Sequence, residues 1–217
     1  AATRVGHAIM SGLAIALGLP RGRFADDLTA DPTVLFRIFH YPPEVEAPEG
    51  GPHLTTPRTP AWGVAEHTDY GLLTLLAQDD RGGLEVRVDG RWLPVPAEPS
   101  VLVCNLGDML EALTAGRYRS TPHRVRNTSG AGRLSFPLFF DPGWDARVRP
   151  LPLDSLTARS DPSDPPRPTV RSDSDSTPSM QQRWDRTDPA AWTGTYGEYP
   201  TAQVSRVFPE LFASLEG

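Results

Sequence analysis

Between residues 61 and 140 apolar and polar positions alternate in short runs broken by glycine, proline and aspartate, which is the period-two signature of strands. The runs 61–68, 71–78, 83–88, 91–93 and 100–104 are separated by "DDRGG", "DG" and "PAEPS", and strands resume at 122–127 and 132–140 across "TSGAG". In "RVDGRW" the pair Asp89-Gly90 accepts the positive φ angles of a type I′ turn, so a tight hairpin is predicted there. Upstream, "LFRIFHYPP" predicts a strand with Leu35, Arg37, Phe39 and Tyr41 on one face and Phe36, Ile38 and His40 on the other, stopped by Pro42-Pro43. Many short strands joined by regular turns imply a β-sandwich or barrel.

Helical spacing is confined to three places. In "IMSGLAIALGL" and the residues before it, Val5, Ile9, Leu13 and Leu17 would line one face of a core-facing helix that ends at Leu19-Pro20. That reading is preferred to a targeting segment, and a start at Ala1 rather than Met suggests residues upstream. Asp108 can cap "MLEALTA" with Glu111 following, and Gly116 can close that helix in the left-handed conformation. Near the C-terminus Val204, Val207, Phe208, Leu211, Phe212 and Leu215 form an apolar stripe, which Pro209 should split into two short helices.

The expected organisation is one unit: residues 1–36 as an N-terminal helical segment on a core, and 37–217 as the core domain with C-terminal helices over 200–217. Within it 157–182, rich in Ser, Asp and Pro, reads as a disordered insertion carrying no catalytic residue. The loop 44–60 could serve as a lid.

Composition narrows the function classes. A net charge of -6 with no basic stripe argues against nucleic acid, and no apolar run reaches the roughly 18 residues of a membrane span, so a small-molecule substrate is expected. All 21 basic residues are arginine, which excludes Schiff-base chemistry on lysine and a P-loop. A lone cysteine, Cys104, read as strand core, fits the reducing cytoplasm, and lysine-free composition points to a GC-rich bacterial genome.

The candidate chemistry starts in "GVAEHTDYGLLTLL". His67 and Asp69 flank Thr68, and positions i and i+2 of a strand face the same way, so both heads can converge. Alone, the pair suits a solvated, hydrogen-bonded strand end as well as a metal site. His123, in "RYRSTPHRVRN", adds a second imidazole from a separate strand, and two histidines with one carboxylate favour non-haem Fe(II) and oxygen chemistry. A structural zinc site would want four ligands, usually with cysteines this chain lacks. In "GRLSFPLFF", Arg133 and Ser135 share one strand face, where a buried guanidinium would need an anion or a carbonyl, and the fork with its neighbouring hydroxyl suits a carboxylate. Phe139 lies on that face as a candidate substrate contact or core residue. His7, His40 and His53 read as packed or solvated, and Asn105 and Asp108 as turn and cap residues.

The set His67-x-Asp69, His123 and Arg133-x-Ser135, with "NLGDMLEALTAGRYRSTPHRV" and "HTDYGLLTLLAQDDRGGLEV", resembles the iron(II)/2-oxoglutarate-dependent dioxygenase superfamily in its isopenicillin N synthase-like branch. The resemblance implies a mainly β fold with flanking helices around a double-stranded β-helix (jelly roll), and an N-terminal portion absent here. It implies that His67, Asp69 and His123 bind Fe(II) and act in catalysis, and that Arg133 and Ser135 hold the distal carboxylate of 2-oxoglutarate. Tyr41 matches the tyrosine of the family's N-x-Y-P-P-type strand, whereas Phe39 replaces its asparagine. The implied activity couples oxidative decarboxylation of 2-oxoglutarate by O2, giving succinate and CO2, to hydroxylation, desaturation or cyclisation of a small organic substrate. The competing readings are an iron oxidase on the same scaffold that needs no 2-oxoglutarate, and a non-catalytic jelly-roll binding module.

Overall fold

A computed structural model of the chain describes residues 1–43, 63–153, 188–207 and 209–210. The expected insertion at 157–182, the candidate lid at 44–60, His53 and most of the expected second C-terminal helix lie outside these residues.

Helix α1 (Ala2–Ala16) opens the described chain and α2 (Arg23–Asp27) follows it. The strands are β1 (Thr33–Phe36), β2 (Phe39–Tyr41), β3 (Val64–His67), β4 (Leu73–Gln78), β5 (Leu84–Val88), β6 (Arg91–Pro94), β7 (Val103–Leu106), β8 (His123–Val125) and β9 (Arg133–Asp141). Helix α3 (Asp108–Leu113) interrupts them, and a 3-10 turn (Pro189–Ala191) and helix α4 (Glu198–Val207) end the described chain. The strands form two antiparallel sheets. One runs β1-β9-β4-β7 with β2 also paired to β9, and the other runs β3-β8-β5-β6. This is the double-stranded β-helix. The β5–β6 hairpin turns at Asp89 (φ 49°) and Gly90 (φ 75°), as the Asp-Gly pair requires.

The structure corrects several expectations. The buried stripe of α1 is Gly6, Met10, Ala14 and then Leu17, whereas Val5 is exposed. Both stripes are apolar, so spacing could not choose between them; the small residues let the helix approach the Phe140 ring. The helix stops at Ala16, and the Leu19 amide returns to the Ala14 carbonyl at 2.8 Å. The single strand expected over 35–41 is two, β1 and β2, both laid on β9, so the division after residue 36 falls inside one sheet. Asp108 is the first residue of α3, behind Gly107 at the cap position, and Glu111 bonds the Ser120 amide and hydroxyl, both at 2.8 Å, instead of closing a box. Gly116 does take the left-handed conformation (φ 77°). Asn105 lies within β7, buried, rather than in a turn, and Cys104 beside it is exposed because its neighbours take the inward positions.

Two apolar clusters result. The larger packs α1, α2, α3 and the C-terminal segment on the outer face of the first sheet, with Met10, Phe24, Leu73, Leu110, Phe140 and Tyr199 among its members. The smaller, between the sheets, has only Tyr41, Leu76, Leu84 and Val125 as its buried members. Much of the inward surface is polar: Asp69, Thr74, Asn105, His123, Arg133 and Ser135 are all buried, beside the partly buried Phe39, Val64 and Val103. Burying that many polar groups is costly without bonding partners, so this interior is shaped for something other than hydrocarbon. No helix among the described residues is long and apolar enough to cross a membrane.

Candidate metal centre

His67 ends β3 and His123 begins β8, and the two are directly opposed in the β3–β8 pair, with ring centroids 4.1 Å apart. His67 Nδ1 bonds the Ala65 carbonyl at 2.8 Å, and His123 Nδ1 bonds the Thr121 carbonyl at 3.0 Å. A carbonyl can only accept, so each Nδ1 carries the proton and each Nε2 keeps a lone pair for a metal. Asp69 stands beyond the strand end rather than on it, so its convergence with His67 comes from the turn and not from strand alternation. Its Oδ1 lies 3.8 Å from His123 Nε2, and its buried Oδ2 has no hydrogen-bond partner among the described residues. One ligand atom from each of the three lies within 4.8 Å of the others, a spacing that one metal ion can span. Burial lowers the His67 pKa, and His123 lowers it further against the pull of Asp69, which keeps the imidazole in its neutral, ligating form.

A second polar group lies deeper between the sheets. Arg133, the first residue of β9, is fully buried. Its Nε donates to the Gly82 carbonyl and its Nη2 to Gln78 Oε1 at 2.9 Å, while its guanidinium lies 4.8 Å from the centre of the Tyr41 ring. Its Nη1 has no hydrogen-bond partner among the described residues. Burial lowers its pKa, opposed by Tyr41 and Asp79. Ser135 is buried two residues on, opposite Phe39 on one side and Gln78 on the other. Phe139 continues this inward face, opposite Thr74 and Leu35, and is half-buried. His123 pairs with Val86 in β5, whereas Arg133 is met by Gly82, in the turn just before that strand. Leu84 and Val125 fill the space between as an opposed pair.

A family model described as the 2OG-Fe(II) oxygenase superfamily matches residues 32–142. The chain belongs to this superfamily. Among curated proteins it is 40% identical over 216 residues to a probable iron/ascorbate oxidoreductase of Dictyostelium discoideum, covering 96% of this chain and 54% of that protein. A 1-aminocyclopropane-1-carboxylate oxidase of the same organism is 32% identical over 237 residues, covering 99% of this chain and 59% of that protein. Among solved structures, that of JOX2 in complex with 2OG, Fe and JA matches with TM-score 0.59 and 31% identity, covering 69% of this chain and 41% of that one. The chain thus spans somewhat more than half the length of these curated relatives.

The 2OG-Fe(II) oxygenase match contains every candidate site residue from Tyr41 to Phe139. The donor set fits the Fe(II) of the family name: two imidazoles anchored through Nδ1 and one carboxylate with an unpartnered oxygen. His40 points outward opposite Leu134, and His7 packs edge-on against Phe140 at 4.9 Å, so neither joins the site. Residues that sequence reasoning passed over support it instead. Gln78 and the Gly82 carbonyl fix the Arg133 fork, and Asn127 Nδ2 holds the strand of Tyr41 through the Tyr41 carbonyl at 2.9 Å. Glu111 fastens Ser120, three residues before His123. Only Asn127 had a local signal, as an Asx residue in a turn.

Proposed function

We propose that this chain carries the catalytic core of an Fe(II)/2-oxoglutarate-dependent oxygenase acting on a small organic substrate. The observation that carries this reading is Arg133: a fully buried guanidinium with a bonding position still open, on the same interior as the His67, Asp69 and His123 cluster. His67, Asp69 and His123 would hold Fe(II) on one face and leave its other positions for cosubstrate and O2. Bound there, iron and 2-oxoglutarate would supply oxidative decarboxylation to succinate and CO2, coupled to oxidation of a substrate C–H bond.

The chain's own residues bind, orient and exclude. Arg133 would pair the distal carboxylate of 2-oxoglutarate through Nη1, with Ser135 beside it and Tyr41 beneath the guanidinium. Leu84 and Val125 would exclude water along the carbon chain, which strengthens the charge pairing at its end. Phe139, on the open part of the same face, would contact substrate. JOX2, crystallised with both 2OG and Fe, supports this cofactor pair. A cytoplasmic setting and bacterial origin rest on composition alone. The test is succinate release from 2-oxoglutarate across a metabolite library, with Arg133→Leu as the comparison. Unchanged succinate output by Arg133→Leu at sub-saturating 2-oxoglutarate would sink the cosubstrate assignment.

A second reading has specific support. These two curated relatives bear the names of an iron/ascorbate oxidoreductase and an oxidase, and an iron oxidase on the same scaffold that needs no 2-oxoglutarate is the competing activity. Oxygen uptake measured with and without 2-oxoglutarate separates the two.

A further inference from the structure

Asp69 is presented by a short turn between β3 and β4, and four backbone groups of that turn are held from outside. The Asp108 amide donates to the Asp69 carbonyl at 2.8 Å, the Met109 amide to the Gly71 carbonyl at 3.0 Å, and the Gly107 amide to the Leu72 carbonyl at 2.9 Å. On its other side the Leu72 amide donates to Asp141 Oδ1 at 3.0 Å. Asp141 can come this close because residue 71 has no side chain: a Cβ there would stand 1.4 Å from Asp141 Oδ1.

Asp141, whose carboxylate bonds this turn, and Asp108, whose amide does, are both buried, and the carboxylate of each accepts from a tyrosine of the C-terminal segment. Tyr196 donates its hydroxyl to Asp141 Oδ2 at 2.6 Å, and Tyr199 donates to Asp108 Oδ2 at 3.0 Å. The edge contact of Tyr70 with the Tyr199 ring, centroids 6.1 Å apart, joins the turn to the same segment. The two phenols are set by the start of α4. Thr195 and Glu198 form a reciprocal capping pair, with the Thr195 amide on Glu198 Oε2 at 2.8 Å and the Glu198 amide on Thr195 Oγ1 at 3.4 Å. Tyr196 and Tyr199, three positions apart, then lie on one side of that first turn.

We propose that Tyr196 and Tyr199, acting through Asp141 and Asp108, are positioning residues that fix the Asp69 turn in the geometry a metal requires. The proposal rests on the reading of Asp69 as a metal ligand. It makes the C-terminal segment part of the metal site's support, although it follows Asp69 by more than a hundred residues. A carboxylate ligand is as well placed as the backbone that carries it, and outer partners of metal ligands commonly govern affinity about 10- to 100-fold.

The experiment is an anaerobic titration of this chain with Co(II), followed by its visible absorption, for wild type, Tyr196→Phe/Tyr199→Phe and Met10→Ala. Met10 lies on the buried face of α1, in the same apolar cluster as Leu72 but with no polar group to bond the turn, and serves as the purely structural comparison. The double variant is expected to bind Co(II) about tenfold more weakly with an altered spectrum, whereas Met10→Ala, despite a lowered Tm, keeps wild-type affinity and spectrum. Should the double variant fail to fold, Tyr196→Phe alone is read the same way. Wild-type affinity and spectrum in the tyrosine variants, or equal weakening in Met10→Ala, would overturn the proposal. Absence of Co(II) binding by the wild type would instead overturn the metal-ligand reading beneath it.

Discussion

His67 and His123 face each other across the β3–β8 pair, and each fixes its ring by bonding Nδ1 to the carbonyl two residues before it. The same local device therefore aims both Nε2 atoms at one point beside Asp69. His67→Ala, Asp69→Ala and His123→Ala should each lose Fe(II) while retaining the fold, as equilibrium dialysis and circular dichroism would show. Asp69→Ala relieves an unpartnered buried oxygen, so its Tm without metal should equal or exceed that of the wild type.

His67 should stay neutral further into acid than a free imidazole. The His67 pKa is held below its ordinary 6.5, chiefly by burial, so its neutral form survives to lower pH than that of a free imidazole. An NMR titration of the His67 ring in the metal-free chain should give a midpoint below 6.5. A midpoint at or above the ordinary value would contradict the assigned environment.

Arg133→Leu should raise the KM for 2-oxoglutarate roughly 10- to 100-fold, the loss of one charge-assisted bond of about 1.5–3 kcal/mol. Gln78→Leu should have a smaller effect of the same sign, because it frees Nη2 without removing the charge. Succinate release against 2-oxoglutarate concentration reads both.

Tyr41 touches Arg133 with its ring, so Tyr41→Phe keeps the face under the guanidinium and Tyr41→Ala removes it. The KM for 2-oxoglutarate should rise more in Tyr41→Ala. Equal values for the two variants would assign the whole contribution to the hydroxyl.

Asp141 predicts a pH-dependent stability. Burial pushes its carboxyl up to about 7, against the Tyr196 hydroxyl and the Leu72 amide, with the nearby charge of Asp69 adding to the rise. Its folded pKa exceeds its unfolded one, so between about pH 4 and 7 the folded chain holds a proton that the unfolded chain has released. This contribution to stability is complete at the acid end and is lost as pH rises to about 7. Asp141→Asn should therefore be less destabilising, relative to wild type, at pH 8 than at pH 5 in denaturant titrations of the metal-free chain. A difference independent of pH would show that Asp141 does not titrate there.

Most of the strands were legible because strand alternation and turn chemistry act within a few residues. The Asp89-Gly90 turn forms as its residue types dictate, and β3 to β9 lie within or close to the expected runs. The face of α1 was not legible, since Val5 and Met10 are both apolar and only contact with Phe140 separates them. Asp108 looks like a helix cap to any local rule, yet its carboxylate meets Tyr199, a residue that no window of sequence places beside it.

By itself, the sequence determined the inventory and its class: two imidazoles, one carboxylate and an Arg-x-Ser pair in a β-rich domain that matches this superfamily. Tertiary structure alone decided that Arg133 is buried with Nη1 unpartnered, that Gln78 and Gly82 orient it, and that the Asp69 turn is clamped by Asp141 and Tyr196. The division has a physical cause. Ligand identity and strand period are properties of short segments, whereas burial and bond completion depend on which distant segments the two sheets and the C-terminal helix bring into contact.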